Sequence, residues 1–198
     1  MATASPATNR VLTVPNVVTV VRLCCIPVFL WLLFGLENRY AAAFLLGALG
    51  ATDWVDGYIA RRFDQVSELG KVLDPTADRL LFIVCVGGII VDGSAPLVFS
   101  LLVVVREILV GGTLVLLTLF GMKRFDVSWW GKAGTFGLMM AFPFFLLGSA
   151  GDSPVNTFFW VCGWLAGIPA LLFSYYAAIT YIPMMRQSLA DGRRARVA

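Results

Sequence analysis

Histidine is absent from all 198 residues. That absence rules out Ser/His triads, His-ligated zinc and haem held by histidine, so any metal must be held by oxygen ligands. Charge is scarce as well: 14% of the residues are Asp, Glu, Lys or Arg, against 59% hydrophobic. Such a chain has too little polar material to cover a soluble globule of its size and belongs in a bilayer. Cysteine is rare and carries no framework, because Cys24, Cys25, Cys85 and Cys162 lie in apolar runs without the spacing of a zinc site or an extracellular disulfide scaffold. The formal net charge of +3 is small and the basic residues are spread over loops and ends. No nucleic-acid surface is expected from that pattern, and anionic lipid is the more natural partner. Internal repeats and low-complexity stretches are also missing. The first apolar stretch has only Arg10 before it, is interrupted by Arg22 and is followed by no small-residue cleavage pattern. It is expected to be a retained helix rather than a signal peptide.

Long apolar runs are what the chain has in quantity. They fall near residues 15–35, 40–60, 73–91, 96–120, 131–148 and 155–185, each long enough for a spanning helix of about 20 residues. The last is long enough to tilt, kink at Pro169 or extend into the cytoplasm. The expected fold is therefore an all-α integral membrane protein with six transmembrane helices. Residues 1–14 form an N-terminal and juxtamembrane segment, residues 15–186 a single six-helix domain, and residues 187–198 a polar, basic and loosely ordered C-terminal tail.

An even number of spans puts both termini on one side. Arg10, Arg61, Arg62, Lys71, Lys123, Arg124, Lys132, Arg186, Arg193, Arg194 and Arg196 collect there, while the other side receives Arg39 with Glu37, Asp92 and Asp152 nearby. The positive-inside rule makes the first side cytoplasmic. Asp53, Asp56, Asp74 and Asp78 then meet at one depth, at the cytoplasmic ends of the second and third helices.

An aspartate at a transmembrane position costs about 2.5 to 3.5 kcal/mol on insertion scales, so four in one short region need a compensating partner. Spacings of three, four and seven residues put Asp53, Asp56, Gly57 and Ala60 on one helix stripe, and Asp74 and Asp78, four apart, share one face of the next helix. Consecutive antiparallel helices joined by a short loop normally pack together, which lets the two stripes face each other. Four carboxylates without imidazole or thiolate make a hard site suited to Mg²⁺ or Mn²⁺, ions that usually work with substrate phosphates. Gly57 and Ala60 leave room for a flat group such as a nucleotide, and Arg61 and Lys71 can offset diphosphate charge. The competing explanations are helix packing for the small residues, ion pairs of the aspartates with Arg61, Arg62, Arg79 or Lys71, and a divalent-cation transporter. Against transport, no matching acidic set lies deeper or on the far side.

Asp53, Asp56, Gly57, Ala60, Arg61, Gly70, Asp74 and Asp78 together fill the pattern DxxDG, xxAR, eight residues, GxxxDxxxD. This is similar to the signature of the CDP-alcohol phosphatidyltransferase family, matched at every fixed position. The opening Pro15-Asn16-xx-Thr19-xx-Arg22 also resembles that family. The resemblance implies an enzyme that moves the phosphatidyl group of CDP-diacylglycerol to an acceptor alcohol and releases CMP. It further implies two divalent ions held by Asp53, Asp56, Asp74 and Asp78, with Asp78 also acting as base. Gly57, Ala60, Arg61 and Gly70 would shape the CDP pocket, joined by Asn16 and Thr19, and the enzyme would be a homodimer in the cell membrane with its site at the cytoplasmic face.

The acceptor is less clearly written. Arg106 and Glu107 interrupt the fourth run, and Lys123, Arg124 and Lys132 cluster at the cytoplasmic start of the fifth. Arg106, Lys132 and Arg124 are candidates for an acceptor phosphate, with a structural pair to Glu107 or Asp78 as the other role for Arg106. Gly131-Lys132-xx-Thr135 resembles the branch of the family that makes phosphatidylglycerol phosphate and cardiolipin. Glycerol 3-phosphate or phosphatidylglycerol is the expected acceptor, with phosphatidylinositol phosphate synthesis as the alternative.

Overall fold

The computed structural model describes the backbone of residues 14–63, 70–119 and 128–197, and the side chains of 19–52, 77, 79–112 and 128–181. Among the described residues the chain is helical throughout: α1 (Val14–Leu30), a π-helical segment (Trp31–Gly35), α2 (Arg39–Phe63), α3 (Gly70–Asp92), α4 (Leu97–Leu119), α5 (Trp129–Gly148) and α6 (Pro154–Val197). Each helix falls on one of the six apolar runs. The expected juxtamembrane piece at 11–14 lies outside the described residues apart from Val14. Two helical stretches among the described residues are long and apolar enough to cross a membrane, Trp129–Gly148 and Pro154–Tyr181, and Thr19–Gly35 is a shorter apolar one.

Helix ends are set by local chemistry. Asn38 caps α2, its side-chain oxygen accepting from the Ala41 amide at 3.0 Å. Gly93, at φ 72°, closes α3: its amide reaches the Ile90 carbonyl while the Ser94 amide reaches that of Ile89, both at 3.3 Å, the paired bonds of a glycine-terminated helix. Ser128 caps α5 by accepting from the Gly131 amide at 3.3 Å. The apolar run of α6 fades near residue 185, yet the helix continues to Val197. Residues 187–197, expected as a loosely ordered tail, are helical because Ala and Arg favour helix and basic residues suit a helix C-terminus.

The chain divides into two units, Met1–Ser94 and Ala95–Ala198. In the first, α1 packs on α2 and α3, and the π-helical segment touches both. Phe29 and Leu33 of the first helical stretch, Ala42 and Ala43 of α2, and Val86 and Ile89 of α3 are buried. Gly88 lets the end of α1 come close: a Cβ there would lie 3.2 Å from the Leu30 side chain. At the ends farthest from the α2–α3 connection, Arg39 pairs with Asp92, Nε to Oδ2 at 2.9 Å, and its Nη2 also donates to the Asp92 carbonyl at 3.3 Å.

The second unit is dominated by the α5–α6 hairpin. Small residues bring the two backbones together, as membrane helices do when apolar burial gives no drive of its own. A Cβ on Gly134 would stand 2.9 Å from the Ser174 amide nitrogen and 3.0 Å from the Ala170 oxygen, and one on Gly148 would stand 2.8 Å from the Trp160 backbone. Gly163 and Gly167 make room for Phe145 and Phe99. The Phe145 ring meets Phe99, Trp160 and Trp164 at centroid distances of 5.3, 5.2 and 5.4 Å, edge-on geometries that aromatic rings favour. Both ends of the hairpin are tied. Asn156 Nδ2 donates to the Leu147 carbonyl at 2.6 Å, and the Ser128 amide donates to the Tyr181 hydroxyl at 3.1 Å. The outer faces of this unit carry large apolar side chains, including Val98, Trp129 and Leu165, as Phe44 and Val91 do in the first unit.

Candidate active site

The acidic pattern occupies the last turns of α2 and the first turns of α3, on either side of residues 64–69. Asp53, Asp56, Gly57, Ala60 and Arg61 lie within α2, and Gly70 opens α3 ahead of Asp74 and Asp78. Their side chains lie outside the described residues, but the helical register is informative. On α2 the described inner face is Ala42, Leu46 and Leu49. Asp53 follows Ala42 by eleven residues, Leu46 by seven and Leu49 by four, while Asp56 and Ala60 follow Leu49 by seven and eleven. Intervals of four, seven and eleven return to the same face of a helix with 3.6 residues per turn. On α3, Ala77, Leu81 and Cys85 are buried, and Asp74 and Asp78 precede Leu81 and Cys85 by seven. By register the backbone positions of the four aspartates share faces with residues that are buried further along each helix. Four carboxylates make an all-oxygen donor set, whose chemistry fits Mg²⁺ or Mn²⁺. Among the described residues no cluster of potential metal ligands occurs.

The remaining candidates separate by setting. Asn16 lies in α1 with its side chain outside the described residues. Thr19, one turn later, is buried, and so is Arg22, one turn later again. Arg106, in α4, is also buried, with its Nη1 2.7 Å from Glu107 Oε2, so the expected structural pair with Glu107 is present. The Arg106 Nε is buried without a hydrogen-bond partner among the described residues, which leaves guanidinium capacity in excess of what Glu107 takes up. Lys132 is exposed on the first turn of α5, while the Thr135 hydroxyl donates back to the Gly131 carbonyl at 3.0 Å and so serves its own helix. Arg124 lies outside the described residues. The sequence did not reveal that Ser128 and Tyr181 fasten α5 to α6 beside Lys132. Serine ahead of an apolar run was the available cue for the cap, but the tyrosine partner, 53 residues away, had none.

Residues 12–176 match the CDP-alcohol phosphatidyltransferase family. The chain is 36% identical over 186 residues to a cardiolipin synthase (CMP-forming) of Streptomyces coelicolor, covering 91% of this chain and 86% of that one. It is 38% identical over 178 residues to a protein of Mycobacterium tuberculosis (strain ATCC 25618 / H37Rv) provisionally named cardiolipin synthase, covering 89% and 84%. It is 33% identical over 175 residues to a CDP-diacylglycerol–glycerol-3-phosphate 3-phosphatidyltransferase of Rickettsia bellii, covering 83% and 93%. By the family match over most of its length and by these relatives, the chain belongs to the CDP-alcohol phosphatidyltransferase family and is a CMP-forming transferase.

Proposed function

We propose that this enzyme transfers the phosphatidyl group of CDP-diacylglycerol to a hydroxyl of a glycerol-type acceptor, glycerol 3-phosphate or phosphatidylglycerol. It would do so from a six-span fold with both termini and the active site on the cytoplasmic side of the cell membrane. The observation that carries this is the register of the four aspartates, each seven residues along its helix from a buried residue: Asp53 from Leu46, Asp56 from Leu49, Asp74 from Leu81 and Asp78 from Cys85. The apolar outer faces and the one-sided distribution of basic loops support the membrane orientation. Higher identity to the two actinobacterial relatives than to the rickettsial one favours phosphatidylglycerol as acceptor. Assembly as a homodimer belongs to the same proposal.

Asp53, Asp56, Asp74 and Asp78 would hold two Mg²⁺ or Mn²⁺ ions, whose chemistry is to neutralise diphosphate charge and favour departure of CMP. Gly57 and Ala60 leave the α2 surface bare for the cytidine and ribose, and Arg61 offers the diphosphate a fixed positive charge. Asp78 accepts the proton of the acceptor hydroxyl as its oxygen bonds to the phosphorus of the phosphatidyl group, and the bond from that phosphorus to the CMP oxygen breaks with its electron pair leaving on CMP. Arg106, with Lys132 and Arg124, would bind the acceptor phosphate. Purified protein given CDP-diacylglycerol and Mg²⁺ should release CMP when phosphatidylglycerol or glycerol 3-phosphate is added. CMP release with inositol phosphate alone would replace the acceptor. Asp78→Asn should lower turnover at least about 100-fold, the usual worth of a general base, and near-normal turnover would remove Asp78 from that role.

A further inference from the structure

We infer that the Arg39–Asp92 pair is a positioning device, setting the register of α2 against α3 and so the level at which their acidic turns meet. The inference rests on the metal-site reading above and adds the part that aligns the site from its far end.

Each partner carries the wrong charge for its own helix. Arg39 is the first residue of α2 and Asp92 the last of α3, where the helix dipole favours an acid and a base respectively. No acidic residue occupies the first turn of α2, and no basic residue the last turn of α3, so neither helix corrects the misfit itself. Each charge does suit its partner's helix. The guanidinium lies against the C-terminal carbonyl of α3, donating to the Asp92 backbone at 3.3 Å, while the carboxylate accepts at 2.9 Å from the side chain of the first residue of α2. Both ends are fixed by backbone chemistry, the Asn38 cap immediately before Arg39 and the Gly93 closure immediately after Asp92. Each also stands next to fully buried packing, with Ala42 and Ile89 three residues inward. Both helices pack on α1, and the two-point contact between their capped ends ties them directly to each other.

The distances from this tie to the acidic turns are matched. Asp53 is fourteen residues beyond Arg39, and Asp78 is fourteen residues before Asp92. At 1.5 Å per residue both backbone positions lie about 21 Å along their helices from the tie. Asp56 and Asp74 follow at seventeen and eighteen residues, about 26 Å. Counted from the tie, the backbone positions of the four aspartates thus fall at two matched levels. A slip of two residues would offset the pairs by about 3 Å, more than the whole ligand distance of about 2.1 Å that Mg²⁺ demands.

The test is Mn²⁺ binding to the full-length protein in detergent, followed by electron paramagnetic resonance without substrate, for Arg39→Asp, Asp92→Arg and the double reversal. Each single reversal is expected to weaken Mn²⁺ binding at least fivefold, and the double reversal to bring it back within twofold of the unmutated protein. In turnover assays the singles should raise the metal concentration for half-activity while kcat at saturating Mn²⁺ stays within threefold. Binding unchanged in both singles would overturn the inference alone, as would a double variant as weak as the singles. No Mn²⁺ bound by the unmutated protein would overturn the metal reading and this inference with it. Should the single reversals fail to fold, Arg39→Gln and Asp92→Asn carry the same comparison, and a loss of helicity there without folded protein of weakened affinity would make the pair structural only.

Discussion

A close helix approach in the second unit can be tested by adding a single methyl group. At Gly134 a Cβ would stand 2.9 Å from the Ser174 nitrogen and 3.0 Å from both the Ala170 oxygen and the Ser174 Cα. All three are backbone atoms of α6, so no rotamer change relieves them, and α6 would have to retreat by several tenths of an ångström. Overpacking of this kind costs about 1 to 3 kcal/mol, partly offset by about 1 kcal/mol of helix propensity that alanine gains over glycine. Gly134→Ala should therefore destabilise by up to about 2 kcal/mol. Gly87 provides the control, because nothing lies within 4 Å of its added Cβ, and Gly87→Ala should be neutral or stabilising by up to about 1 kcal/mol. A gap of about 2 kcal/mol is near a 30-fold difference in unfolding constant, readable by titrating detergent-solubilised protein with SDS and following the six tryptophans. Gly137 sharpens the comparison. Its Cβ would fall 2.6 Å from the Ala170 methyl, so Ala170→Gly should rescue Gly137→Ala by moving the methyl across the seam. Equal stability of Gly134→Ala and Gly87→Ala would refute the close α5–α6 contact.

Three further outcomes are expected. Asn156→Ala removes the 2.6 Å donor to the Leu147 carbonyl, which keeps a longer bond from the Ala150 amide, and should cost about 0.5 to 1.5 kcal/mol in the same titration; no loss of stability would count against this bond. Tyr181→Phe removes the acceptor for the Ser128 amide and should speed amide exchange at residues 128–131 while leaving the far end of the hairpin unchanged, whereas uniform acceleration would mean general loosening. Arg106→Gln should raise KM for the acceptor at least about tenfold, the worth of a charged hydrogen bond, with KM for CDP-diacylglycerol within twofold; equal effects on both substrates would make Arg106 a structural partner of Glu107.

Much of this was legible in the sequence because two signals are strong in a bilayer chain. Apolar runs of spanning length located every helix, and aspartates that are costly in lipid stood out at fixed spacing. The π-helical segment at Trp31–Gly35 was invisible because an extra residue in a turn leaves no compositional mark. The helical extension of α6 past residue 185 was missed because apolarity, which ends there, is a different property from helix propensity, which does not. The Arg39–Asp92 tie was equally hidden: Arg39 registered only as a topological exception, since pairing over 53 residues depends on tertiary register. Acceptor choice was the least readable, because it depends on a few cations whose roles, as Arg106 with Glu107 illustrates, are divided between substrate and structure.

The tight α5–α6 seam has a consequence for traffic. Its close contacts run from Gly134 to Gly148, about 21 Å of helix, and both ends are latched by Asn156 and Tyr181. A hydrocarbon chain is wider than any gap such a seam allows, so no lateral gate for lipid opens there. The acyl tails of an incoming lipid substrate must approach along another helix face, and α5 and α6 act as a closed wall past which those tails cannot slip.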